Sequence, residues 1–232
     1  MTKREALPAL VTFAVLACGL VALDAARLGE WDRALRFVLV AAVLDGIDGA
    51  LARKLLAAGP LGKQMDSLSD IVAFGVAPAF LFSTYYADGL GLARFGVMFA
   101  FVGAGLFRLA RYNSMPSSDT FMGLPITIAG VLFAALVAGP LEINLGAAVL
   151  SGLSLAVLMV SHLPFPAFHR WRSVLLPALF QMGLAIAIWP RAETVALIAA
   201  GLLGSYVVWA LVQGFIEQRA HDGSDVADDV RA

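Results

Sequence analysis

Asp45-Gly46-Ile47-Asp48-Gly49-Ala50-Leu51-Ala52-Arg53, continued by Gly62, Asp66 and Asp70, sets four carboxylates and an arginine inside two otherwise apolar segments. Ionisable side chains in a membrane segment are costly and face a cavity, a partner or an ion, so four at regular spacing call for a cation or a reaction. On a helix, which advances about 100° per residue, Asp45, Asp48, Gly49, Ala52 and Arg53 share one face. Gly62, Asp66 and Asp70 repeat the i, i+4, i+8 spacing on the next helix. The short Gly59-Pro60 connection predicts that the two helices are antiparallel neighbours. Two acidic faces are then expected to meet.

Carboxylates gathered in a low dielectric repel one another and resist ionisation unless a cation neutralises them. Oxygen ligands without His or Cys favour Mg²⁺, Mn²⁺ or Ca²⁺ over zinc. Four carboxylates hold one or two such ions, and a pair about 3.5–4 Å apart is the arrangement that clamps phosphoryl groups during in-line displacement. Gly49 and Ala52 leave space beside the carboxylates. Arg53, one turn beyond Gly49, meets a phosphate with its planar guanidinium fork. A diphosphate suits such a slot.

The surroundings belong to a membrane protein. The chain has 232 residues, 60% hydrophobic and 14% charged, with a mean hydropathy of +0.85, which places it among polytopic membrane proteins. A helix crosses the hydrocarbon core in about 17 to 25 apolar residues. Candidate spans run over 6–23, 33–56, 61–85, 92–113, 122–139, 143–161, 173–189 and 193–215, broken at Gly59-Pro60, Asp88-Gly89, Gly139-Pro140 and Trp189-Pro190. The expected fold is therefore all-α, a polytopic bundle of about eight transmembrane helices forming one domain over 1–217, with a solvated, disordered cytoplasmic tail over 218–232. Lys3 and Arg4 precede the first span, read as a retained helix rather than a cleaved leader.

With a cytoplasmic N-terminus, eleven Lys and Arg fall inside, among them Arg53, Lys54, Lys63, Arg108, Arg111, Arg170 and Arg172. Five (Arg27, Arg33, Arg36, Arg94 and Arg191) fall outside. The positive-inside rule then puts the acidic hairpin on the cytoplasmic side. The two longer loops, Asn113–Phe121 and His162–Trp171, come out on the same side. A net charge of −1 without a Lys/Arg block speaks against nucleic-acid binding. The single Cys18 excludes an intrachain disulfide and a multi-cysteine zinc site. His162 and His169 have no acidic or nucleophilic partner near them in sequence and receive no catalytic role.

The pattern Asp45-x2-Asp48-Gly49-x2-Ala52-Arg53-x8-Gly62-x3-Asp66-x3-Asp70 resembles the full signature of the CDP-alcohol phosphatidyltransferases, with all eight fixed positions and every spacer intact. The resemblance implies an all-helical membrane bundle around a cytoplasm-facing polar cavity, typically a homodimer, with two divalent cations, Mg²⁺ or Mn²⁺, held by the motif. It implies that CMP is displaced from a CDP-linked lipid or alcohol by an incoming hydroxyl. Carried over by position, Asp45, Asp48, Asp66 and Asp70 are the metal ligands and Asp70 is also the general base. Gly49, Ala52 and Arg53 line the CDP moiety, with Arg53 on the diphosphate.

Asp66-Ser67-Leu68-Ser69-Asp70 running into Phe74-Gly75-Val76-Ala77-Pro78 is similar to the membrane-embedded phosphatidylserine synthases. Arg108-Leu109-Ala110-Arg111-Tyr112-Asn113, Gly123-Leu124-Pro125 and Phe165-Pro166 extend the likeness over roughly residues 8–172, although His162 stands where such relatives are expected to carry an arginine. The implied substrates are CDP-diacylglycerol and L-serine. Serine carries a carboxylate and an ammonium, so its site wants a cation such as Arg108 or Arg111 and an acceptor such as Asn113. The same arginines also suit a lipid phosphate or anionic headgroups. Ser67 and Tyr112 are weaker candidates, and Gly75 with Pro78 predicts a kink beside the cavity. Two other readings remain: a sibling transferase using glycerol 3-phosphate or an inositol phosphate, and a cation or proton transporter with an aspartate relay.

Overall fold

The computed structural model describes residues 3–54, 59–114 and 120–166. The predicted spans over 173–189 and 193–215, the tail, His169, Arg170 and Arg172 lie outside the described residues. Two long helices open the chain, α1 (Lys3–Arg27) and α2 (Trp31–Lys54). They are joined by a tight reversal in which Gly29 adopts φ +76°, a conformation that costs glycine little. Gly29 N–H donates to Ala26 and Glu30 N–H to Ala25, the paired closure that satisfies the last carbonyls of a helix. Small residues then let the two helices lie close: Ala22, Ala25 and Ala26 on one side, Ala34 and Ala41 on the other, all buried.

The third predicted span is one continuous helical path in three parts: α3 (Pro60–Asp70), a π-helical turn (Ile71–Val76) and α4 (Ala77–Tyr85). Pro60 begins α3 because a first-turn residue needs no N–H and its φ is already helical. The irregularity expected at Gly75 and Pro78 takes the form of the π turn, with Pro78 at the start of α4. Two glycines flank that turn. A Cβ on Gly19 of α1 would stand 2.9 Å from Ala73 Cα, and one on Gly130 would run into the carbonyl oxygen and Cα of Phe74.

A short helix, α5 (Ala87–Leu90), leads to α6 (Ala93–Ser114). The strand β1 (Thr120–Met122) and α7 (Ile126–Ala138) follow, and then α8 (Leu145–Val160) and β2 (Pro164–Pro166). α7 is apolar all round and almost wholly buried, as a central helix should be. Its Phe133 stacks with Phe82 at 5.4 Å and meets Phe101 at 4.7 Å. α8 is capped at its start by Asn144, whose Oδ1 accepts from Ala147 N–H at 2.9 Å. The two loops singled out in the sequence meet in a two-stranded antiparallel ribbon with Phe121 opposite Phe165, an element outside the all-helical expectation.

Leu7–Arg27, Pro60–Tyr85 and Ala93–Ser114 are long and apolar enough to cross a membrane, and α7 and α8 are shorter apolar helices. Among the described residues α3 lies against α1 and the π turn rather than flush against α2. The carboxylates of Asp45 on α2 and of Asp66 and Asp70 on α3 nonetheless come together.

Candidate active site

Asp45 projects from the second half of α2, and Asp66 and Asp70 stand one turn apart at the end of α3. Each offers one carboxylate oxygen to a cluster in which these atoms lie within 4.8 Å of one another. Asp70 is buried at 7% exposure, and the other two are half-buried. At an effective dielectric constant of about 20, two unit charges 4.8 Å apart repel by roughly 3 kcal/mol. Three such carboxylates repel one another unless a cation neutralises them or one of them takes up a proton. The donor set, all carboxylate oxygen with no sulfur or imidazole, fits a hard divalent cation. Asp48, Gly49, Ala52 and Arg53 continue α2 through its last turns, where the description is limited to the backbone path.

Two further helices close on this cluster. From α7, Thr127 Oγ1 donates to Asp45 Oδ2 at 3.1 Å. From α6, Arg108 is 7% exposed and lies in the electrostatic field of Asp70 and Asp45. Its Nε is buried and finds no acceptor among the described residues. A buried guanidinium beside two carboxylates keeps an N–H free for a further acceptor.

Arg111, one turn later, is placed differently. Its Nη1 donates to Val160 O at 2.9 Å, and its Nη2 donates to Ser161 O at 3.2 Å and Met159 O at 3.4 Å. It thus caps the end of α8, where carbonyls lack helical partners and carry partial negative charge. Asn113 Nδ2 donates to Ser67 Oγ at 3.0 Å. Asn113 Oδ1 is buried and accepts nothing among the described residues. Lys63 reaches Tyr112 O at 3.2 Å and lies 4.5 Å above its ring. α3 and the end of α6 are in this way stitched together along the side that carries Asp66 and Asp70. His162 is exposed beyond α8.

The structure thus gathers Asp45, Asp66 and Asp70, sets Arg108 beside them, and spreads Asn113 and Arg111 toward the ends of α3 and α8. Sequence reasoning missed Thr127, which nothing in an apolar segment marks out.

These features are those of a membrane enzyme acting on a phosphate ester, and the comparisons with known proteins agree. The CDP-alcohol phosphatidyltransferase family profile matches residues 5–216, and the chain belongs to that family of phosphotransferases. It is 33% identical over 169 residues to the CDP-diacylglycerol–serine O-phosphatidyltransferase of Bacillus subtilis, covering 71% of this chain and 92% of that protein. It is 35% identical over 178 residues to the enzyme of the same name from Helicobacter pylori (70% of this chain, 73% of that one). It is 31% identical over 171 residues to the archaetidylserine synthase of Methanothermobacter thermautotrophicus, 72% of each chain.

Proposed function

We propose that this protein transfers the phosphatidyl group of CDP-diacylglycerol to the hydroxyl of L-serine, giving phosphatidylserine and CMP. The observation that carries the reading is the convergence of Asp45, Asp66 and Asp70 within 4.8 Å in an apolar bundle. The names of the similar proteins support serine as the acceptor.

Asp45, Asp48, Asp66 and Asp70 hold two divalent cations, Mg²⁺ or Mn²⁺. Bound there, such ions neutralise the diphosphate and stabilise charge developing on the transferred phosphoryl group. Gly49 and Ala52 leave room for the CDP moiety, and Arg53 binds its diphosphate. Arg108 takes the serine carboxylate and Asn113 Oδ1 accepts from its ammonium, while Arg111 holds the end of α8 against this side. Asp70 accepts the proton of the serine hydroxyl as its oxygen attacks the lipid-linked phosphorus, and the bond to CMP breaks. No covalent enzyme intermediate is required.

The same reading places one domain over 1–217, with about eight spans around a cytoplasm-facing cavity, a cytoplasmic tail over 218–232 and a homodimer in the cell (inner) membrane. The charge bias between the two faces supports this orientation.

The deciding experiment supplies the purified protein with CDP-diacylglycerol, Mn²⁺ or Mg²⁺ and a panel of acceptors. Serine-dependent CMP release is expected. Release with glycerol 3-phosphate or an inositol phosphate but not serine reassigns the acceptor, and no release with any alcohol overturns the transferase reading.

A further inference from the structure

Hydroxyls within helices commonly fold back on their own backbone. Here Thr12 donates to Pro8 O at 3.2 Å, Thr84 to Phe80 O at 3.0 Å and Ser114 to Ala110 O at 2.8 Å. Thr127 does otherwise. It is the second residue of α7, and the residue four places before it, Gly123, precedes the helix, so no carbonyl of its own helix lies in that position to compete for the hydroxyl. The hydroxyl instead crosses to Asp45, 82 positions earlier, at 3.1 Å.

The donor is held stiffly. A β-branched side chain has few χ1 options in a helix, and its neighbours Ile126 and Ile128 are buried at 1% and 6% exposure. Three residues on, Gly130 brings α7 hard against Phe74 in the turn that follows Asp70. One rigid helix therefore refers Asp45 of α2 to the same frame as Asp70.

We infer that Thr127 is a positioning residue for the metal ligand Asp45, its hydroxyl fixing the carboxylate so that Asp45, Asp66 and Asp70 share one cation. This rests on the metal-site reading of the cluster given above. A ligating carboxylate is itself oriented by a donor on its outer side, and loss of such a donor typically weakens metal binding about 10–100-fold. Thr127→Val keeps the shape and removes the donor, whereas Thr127→Ser keeps the donor.

The test is Mn²⁺ titration of the purified full-length protein in detergent, without substrate, followed by loss of the free-ion electron paramagnetic resonance signal. Wild type, Asp66→Ala, Thr127→Val and Thr127→Ser are compared, with helical content and melting recorded for each. The expected result is at least about tenfold weaker binding for Thr127→Val, with most of the affinity kept by Thr127→Ser. Wild-type affinity in Thr127→Val, or equal loss in a folded Thr127→Ser, overturns the role of Thr127. Failure of wild type to bind Mn²⁺, or equal binding by wild type and Asp66→Ala, overturns the metal reading and this inference with it.

Discussion

Arg108 and Arg111 stand one turn apart on α6 in opposite surroundings. Three carbonyls at the end of α8 receive Arg111, whereas the Nε of Arg108 is buried in the field of Asp70 without an acceptor among the described residues. Arg111→Ala leaves those carbonyls without their donor and should cost about 1–3 kcal/mol of stability, visible as earlier melting in detergent. Arg108→Ala sheds the desolvation cost of a buried charge but also its attraction to Asp70 and Asp45, so its melting should shift less than that of Arg111→Ala. It should lower kcat/KM for serine by about 10- to 100-fold, the worth of a hydrogen bond to a charged group. Equal melting and equal activity losses in the two variants would show that the packing difference has no functional counterpart.

Asn113 joins α6 to Ser67 through one amide hydrogen while its carbonyl oxygen is buried and accepts nothing among the described residues. Asn113→Ala should raise KM for serine by about tenfold or more and leave KM for CDP-diacylglycerol unchanged. Ser67→Ala keeps that oxygen and should have the smaller effect. Steady-state kinetics with each substrate varied in turn checks the split, and a rise confined to CDP-diacylglycerol would move Asn113 to the nucleotide side.

Removing a carboxylate from the acidic cluster removes charge stabilisation worth several kcal/mol, so Asp66→Ala and Asp70→Ala should each lower CMP release by about a thousandfold or more. Each relieves repulsion between acids, so helical content measured by circular dichroism should be retained. A folded Asp70→Ala protein that turns over at the wild-type rate would remove Asp70 from the chemistry.

Chelation provides an independent check on the same cluster. Treatment with EDTA should abolish CMP release, and excess Mn²⁺ or Mg²⁺ should restore it, because oxygen-only sites exchange hard cations readily. Zn²⁺ is expected to restore little, since the cluster offers neither imidazole nor thiolate. Undiminished activity after exhaustive chelation would contradict the metal assignment.

Gly130 has no room for a side chain against Phe74, whereas Gly96 on α6 has nothing within 4 Å of a built Cβ. Gly130→Ala should destabilise by about 1–3 kcal/mol through overpacking, and because it pushes on the turn after Asp70 it should lower kcat as well. Gly96→Ala should be neutral or slightly stabilising, as expected for alanine in an open helical position. Melting curves of the two variants side by side make the comparison.

The acidic hairpin is legible in the sequence because carboxylates in apolar surroundings have few explanations, and Asp45, Asp66 and Asp70 do meet. The start of α3 and the end of α6 are legible for a similar reason, since Gly59-Pro60 and the polar run after Arg108 are local signals. The spacing of α2 from α3 is not, because helical periodicity gives the direction of a face but not the distance to its partner. The π turn sits close against Gly19 and Gly130, two contacts that the sequence does not reveal, and Gly75 with Pro78 signals only some irregularity. Arg108 and Arg111 look alike in sequence and are distinguished only once α8 arrives. Thr127 reads as filler in an apolar helix until α7 is placed beside α2. Strands as short as Thr120–Met122 and Pro164–Pro166, the latter with two prolines, carry no strand pattern.

The ribbon also constrains parity. Because Met122 pairs with Pro164, the excursion through α7 and α8 starts and finishes at a single clasp, so its two ends lie on one and the same face of the bundle. Arg111 joins the last residues of α6 and α8 to that face as well. Whatever fixes the sidedness of α6 therefore fixes that of the clasp, and a topology marker placed in either loop must report the same compartment.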